Sequence, residues 1–251
     1  MLSFPKDKIS EDDCTRKQYQ LVVDNYSQQQ RKAYNMERNI VFDLDGVILD
    51  SERLVLSIWD FLGGKYGING MRETMLECIG ATHEKTKEII CKRHGDDFPY
   101  DDMRAEASEQ FKERTKKDGV PVKPGARELL QYLHTNGWKI GLATSTKGVT
   151  AKDELKFLGL LKFFDYIVTG DMITESKPHP EIYFKVCEQM GVKPEDAIAI
   201  EDSRSGVRSA AMAGLKVILV PDVLEPDAET ERLAWKQFKD LLEVRNFFIK
   251  S

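Results

Sequence analysis

From Pro121 onward one pattern recurs four times: a helix-forming stretch closed by glycine or Asn-Gly, then a short apolar run. The stretch from about Ala126 to Thr135 stops at Asn136-Gly137 and precedes Lys139 to Ala143, and that from Gly148 to Leu158 stops at Gly159 before Tyr166 to Thr169. The third opens at Pro180, where a missing amide costs nothing in a first turn, and closes after Met190 at Gly191, ahead of Ala197 to Ile200. Gly206 to Ala213, with its stop at Gly214, precedes Val217 to Val220. Strands separated by helices of this size pair in parallel only through right-handed crossovers that cover both sheet faces. Near-continuous apolar runs such as Val217-Ile218-Leu219-Val220 suit burial on both faces. The expected fold is α/β, a Rossmann-like parallel sheet core with helices on both faces.

The first strand signal, Asn39 to Phe42, lies far upstream of this series. Residues 52–118 intervene as a mostly helical, charge-rich insert: Leu54, Ile58, Phe61 and Leu62 recur at helical spacing, and Gly63, Gly64, Gly67 and Gly70 then interrupt it. Further helical stretches are expected from about Glu84 to Arg93 and from Asp101 to Lys117. The reading is a small all-helical cap domain over 52–118, inserted after the first strand of a core made of 39–51 and 119–251. Residues 1–38 form a polar N-terminal extension, in which Ser10 and Asp13 are placed to start a helix running to about Tyr34. Its apolar stripe of Tyr19, Val22 and Tyr26 is thin, which leaves packing on the body, pairing with another chain, or mobility all open. Met36 directly precedes the first strand, so an internal translation start is a further reading.

A net charge of -5 excludes a general nucleic-acid backbone binder, which needs a concentrated basic surface. Cys14, Cys78, Cys91 and Cys187 are too irregularly spaced for a zinc knuckle or a redox pair, so four free thiols in a reducing cytoplasm are expected. No apolar run reaches the roughly 20 residues of a membrane span, and a monomer or weak dimer is the expected state.

In open parallel sheets, ligands lie beyond the carboxyl ends of the strands. Those ends carry Asp43-Leu44-Asp45-Gly46, Thr144-Ser145, Lys177 in the loop after the third strand, and Glu201-Asp202. Any one has a plainer use: Asp-Gly is a common turn, Thr144 can cap a helix, and Lys177 can sit on a wetted face. Together they gather four carboxylates, which repel unless a cation or proton intervenes, and hard carboxylate oxygens suit Mg2+ beside substrate phosphate. Asp43 is then the candidate nucleophile and Asp45 the general acid/base beside the leaving oxygen. Gly46 permits the tight turn that aims neighbouring amides at phosphate. Thr144 offers a hydroxyl to phosphate, Lys177 compensates charge, Asp202 is assigned as a direct metal ligand, and Glu201 as a direct or water-mediated one.

These residues resemble the haloacid dehalogenase-like hydrolases, in the subgroup whose helical cap follows the first motif. The likeness rests on Val41-Phe42-Asp43-Leu44-Asp45-Gly46-Val47-Ile48-Leu49-Asp50-Ser51-Glu52, Leu142-Ala143-Thr144-Ser145-Thr146, Ser176-Lys177-Pro178-His179-Pro180 and Ile200-Glu201-Asp202-Ser203-Arg204-Ser205-Gly206, in that order. It implies an aspartyl-phosphate mechanism, with magnesium on the Asp43 side chain, the Asp45 carbonyl and Asp202. It also implies phosphate contacts from Thr144, Lys177 and the backbone around Leu44, Asp45 and Ser145, under a closing cap. The dehalogenating members lack an equivalent of Asp45. The beta-phosphoglucomutase members carry a cap histidine where this chain has Val55, and a cap-loop arginine where it has His83 in Gly80-Ala81-Thr82-His83. The expectation is a phosphatase of a small phosphorylated metabolite, with a phosphosugar mutase and a non-catalytic interaction protein as alternatives. Glu52 and His83 are the candidate substrate contacts.

Overall fold

The computed structural model describes residues 38–79 and 83–250. The expected helix from Ser10 to Tyr34, Met36 and the loop residues Gly80 to Thr82 lie outside them.

Six strands, β1 (Asn39–Phe42), β2 (Lys139–Thr144), β3 (Tyr166–Thr169), β4 (Ile198–Glu201), β5 (Lys216–Leu219) and β6 (Lys236–Gln237), form one sheet in the order β3-β2-β1-β4-β5-β6. Every pairing is parallel. Ile40 of β1 faces Ile140 on one side and Ile198 on the other, and both Val41 and Phe42 are wholly buried, which is why these strands read as unbroken apolar runs. The chain winds outward from β1 in both directions, so the reversal of strand order falls beside β1 and leaves a crevice past its carboxyl end. The Asp43 amide donates to the Ile200 carbonyl at 3.0 Å, which carries the pairing one residue past β1 and fixes Asp43 at the lip of that crevice.

Helices α1 (Ser51–Tyr66), α2 (Met71–Glu77), α3 (His83–His94) and α4 (Tyr100–Thr115) occupy the insertion between β1 and β2. They pack around their own apolar cluster, including Leu56, Trp59, Leu62, Met71 and Met103. The expected break at Gly63 and Gly64 does not occur: α1 runs through both, with Gly63 close against Met71 of α2 and Gly64 in open space, and it ends on Gly67 in the left-handed conformation.

The remaining helices are α5 (Ala126–Thr135), α6 (Gly148–Phe157), α7 (Glu181–Met190), α8 (Arg204–Ala213), α9 (Ala228–Leu233) and α10 (Leu241–Lys250). Helices α7 and α8 cover one sheet face through Tyr183, Val186, Val207 and Ala210. The elements after Val220 were not anticipated. Two-residue β6 is too short to show a period, while α10 packs back on the start of β2 through Trp138 and Phe248, with ring centroids 4.8 Å apart. Cys78, Cys91 and Cys187 are free thiols, and no described helix is long and apolar enough to cross a membrane.

Candidate active site

Three strand ends converge on one ammonium, which comes from the loop after the fourth strand, β3. Lys177 Nζ donates to Asp43 Oδ1 at 2.6 Å, to Glu201 Oε1 at 2.7 Å and to the Ala143 carbonyl at 3.0 Å, so all three of its protons are used. Glu201 is wholly buried and takes a further bond from the Tyr183 hydroxyl at 2.6 Å. It is thus the anchor of Lys177, and its neighbour Asp202 comes off the strand into the crevice.

Carboxylate oxygens of Asp43, Glu201 and Asp202 all lie within 4.8 Å of one another. Three carboxylates against one ammonium leave two negative charges in a buried place, the deficit a divalent cation cancels. The titration behaviour carries the same information. Burial raises Asp43 to about 8, although Lys177 pulls the other way, and burial followed by Glu201 and Asp43 raises Asp202 well above the carboxylate range. Burial also works against charge on Lys177, but Asp43 and Glu201 outweigh it and hold the ammonium above the usual lysine value. The ammonium therefore stays, and the surplus negative charge calls for a proton or a metal ion. The donor set fits magnesium.

Two glycines make this closeness achievable. Gly46 has φ +78°, and a Cβ there would lie 2.0 Å from Asp202 Oδ2. A Cβ on Gly206 would lie 2.0 Å from Glu201 Oε2, so α8 can start against the carboxylate only without a side chain. Ser203 caps α8 by accepting from the Gly206 amide.

Asp45 is held differently. Ser51 Oγ donates to its Oδ1 at 2.6 Å and Thr146 Oγ1 to its Oδ2 at 2.7 Å, one hydroxyl from the start of α1 and the other from the loop after β2. Thr144 is buried beneath this pair and accepts from the Thr146 amide at 3.0 Å, while Ser145 is exposed to the cavity. The backbone amides of Leu44 and Asp45 make no hydrogen bond to the described residues, which leaves two donors at the turn after β1.

A cavity of about 610 Å³ collects Asp43, Asp45, Glu52, Ser145, Lys177 and Asp202. Glu52 is therefore at the site, within 4.8 Å of Asp202 and Asp222, and burial first and Asp222 second raise it to about 7. His83 is not brought there. Its Nδ1 lies 2.9 Å from the Tyr100 hydroxyl and its ring stacks on Tyr100, which holds it among the inserted helices on a separate outer cavity. Sequence reasoning passed over Ser51, Thr146 and Tyr183 as partners. The one available signal was that Ser51 and Thr146 fall inside the same short motifs as the residues they serve.

Residues 40–220 match the family model of the haloacid dehalogenase-like hydrolases. A phosphorylated carbohydrates phosphatase of Thermotoga maritima is 32% identical over 179 residues, covering 71% of this chain and 82% of that protein. A Thermotoga maritima structure solved as a candidate beta-phosphoglucomutase superposes with a TM-score of 0.70 at 29% identity, covering 84% of this chain and 98% of the other. CbbY from Rhodobacter sphaeroides, solved with phosphate, gives 0.62 at 26% identity, covering 82% and 96%.

Proposed function

This chain belongs to the haloacid dehalogenase-like hydrolases and is a phosphoric monoester hydrolase, and we propose that it is a magnesium-dependent phosphatase acting on a small sugar or organic-acid phosphate through an aspartyl-phosphate at Asp43. The observation that supports this most is the clustering of Asp43, Glu201 and Asp202, of which the first two pair with Lys177, with their uncancelled charge. The Asp43 and Asp202 side chains and the Asp45 carbonyl would hold the ion, with Glu201 reaching it directly or through water. Magnesium, when bound there, supplies positive charge to the phosphoryl oxygens.

The chain's own groups divide the remaining work. The Thr144 and Ser145 hydroxyls and the amides of Leu44, Asp45 and Ser145 receive the phosphoryl group, and Lys177 compensates its charge. A carboxylate oxygen of Asp43 bonds to phosphorus as the ester P–O bond breaks, and Asp45 gives its proton to the departing oxygen. Asp45 then takes a proton from water as that water attacks phosphorus, which breaks the Asp43–phosphorus bond and releases inorganic phosphate. The inserted helices act as a cap that excludes bulk water. A mutase would need a proton-handling group where Val55 stands, and an apolar side chain cannot serve.

The test is phosphate release from a panel of monoesters with and without Mg2+, alongside Asp43→Asn. Release should require the metal and vanish in the variant, and an Asp43→Asn protein as active as the parent would overturn the reading.

A further inference from the structure

Asp45 stands between two cavities. Beyond it, away from Lys177, lies a second one of about 410 Å³ that also reaches Ser51, Glu52 and Ile79. One wall is apolar and comes from the inserted helices: Val55 and Leu56 of α1, Met75 of α2, and Phe111 of α4. The facing wall is polar and comes from the core: Thr146 from the loop after β2, and Thr150 and Glu154, four residues apart on α6 and so on one face of it. The charged residues lining this cavity, Asp45, Glu52 and Glu154, are all acidic. No described cation pairs with Glu154. Arg204 and Arg208 line the first cavity and are engaged by Asp227 and Glu229, while Arg104 and Lys112 line an adjoining outer cavity that shares Val55, Met75, Thr86, Phe111, Thr150 and Glu154 with this one but does not reach Asp45.

We propose that this second cavity receives the leaving group and selects a compact, uncharged, hydroxyl-bearing one, with Thr150 and Glu154 binding its hydroxyls and the helical wall covering its carbon face. The inference rests on the phosphatase reading and narrows its substrate class to polyol-type monoesters. A hydroxyl donating to Glu154 gains a charge-assisted bond in a partly dry place. A carboxylate or second phosphate on a leaving group short enough to stay in this cavity meets three acids, while Arg104 and Lys112 line only the adjoining outer cavity, so like-charge repulsion works as selection against it. Burial first and Asp45 second raise Glu154 to about 7, so its charge-assisted bond and its repulsion of an anionic group are fully developed above that pH, where the comparison is made.

Two matched pairs test this: glycerol 3-phosphate against 3-phosphoglycerate, and 2-hydroxyethyl phosphate against 2-phosphoglycolate. In each, the members differ by one carboxylate close to the ester. The wild-type protein with Mg2+ should favour the neutral member by about tenfold or more in kcat/KM, the effect of one unfavourable charge contact. Glu154→Gln should narrow that ratio, Glu154→Lys should narrow it further or invert it, and Thr150→Val should raise KM for the neutral members. Because each ratio is taken within one protein preparation, partial misfolding of a variant cancels out of it. Equal or better turnover of the anionic members, or a ratio unmoved by Glu154→Lys, would overturn the inference and leave the phosphatase reading intact. No release from any of the four, or from a broader ester panel, would overturn both.

Discussion

Lys177 Nζ lies 2.6 Å from Asp43 Oδ1, in a place where both side chains are close to fully buried. Such a pair survives only because Glu201 and the Ala143 carbonyl take the remaining protons of the ammonium. The same contact that orients Asp43 therefore depends on Glu201, which depends in turn on Tyr183.

Lys177→Met should lower kcat by about 10²-fold or more, the scale set by losing one charge-stabilising donor. It should also destabilise the fold by about 3–5 kcal/mol, because two buried carboxylates lose their counter-ion. Thermal unfolding separates the two effects: added Mg2+ should recover part of the Tm but not the kcat.

Tyr183→Phe removes a donor from Glu201 without changing the packed ring, at a cost of about 1.5–3 kcal/mol for a bond to a charged group. Tyr183 does not line the catalytic cavity, so KM should hold nearly constant while kcat falls modestly through a less firmly held Lys177. A large rise in KM would contradict this chain of support.

Asp45→Asn should cost about 10²–10⁴ in kcat, the usual worth of a positioned proton-transfer group. Ser51→Ala and Thr146→Val each remove one of the two hydroxyls that fix Asp45. Each single change should cost less than Asp45→Asn. In a double-mutant cycle the two should be non-additive, since both act through the same carboxylate.

How much of this was legible beforehand depended on burial. Asp43, Thr144 and Glu201-Asp202 directly follow apolar runs that are buried on both faces, so the sheet announces its own ends. Lys177 follows β3 at a distance, and its signal was its place in the loop that leads into the proline-started helix. The supports were hidden, each for its own reason. Ser51 looks like a helix start, Tyr183 like an ordinary core aromatic on α7, and Glu154 like the wetted face of α6. A residue's partner across the fold leaves no local trace, which is also why His83 looked available for substrate although it is committed to Tyr100. The chain after Val220 was silent because α10 docks on α5 and β2 through contacts such as Tyr132 with the Phe248 carbonyl, more than a hundred residues apart.

Gly46→Ala tests the geometry of the proposed metal site directly. The added methyl would fall on Asp202 Oδ2 in a backbone conformation that disfavours side chains. Magnesium affinity, read by calorimetry or by Mg2+-induced thermal shift, should drop at least about tenfold, since a ligand must move away. The equivalent change at exposed Gly137, also at positive φ but with open space around it, should leave that affinity alone.

The metal-free protein should lose stability as pH rises, and the sign follows from Asp43. Its carboxyl titrates near 8 in the folded chain against an ordinary value of 3.8, because burial disfavours the charged form. Between those values the folded state holds a proton that the unfolded state has released, so each step up in pH favours unfolding, and the loss is complete above the folded value. Asp202 shifts in the same direction for the same cause. A divalent cation replaces the missing proton, so its stabilisation must grow as the proton leaves. In chelator the Tm should fall from pH 5.5 to 8.5, and the increment from a fixed excess of Mg2+ should be larger at pH 8.5 than at pH 5.5. Asp43→Asn carries no titrating group at that position and should show a flatter pH profile, with a smaller magnesium increment. An increment independent of pH in the parent protein would mean that Asp43 is already ionised without the metal, and that Lys177 alone suffices to hold it so.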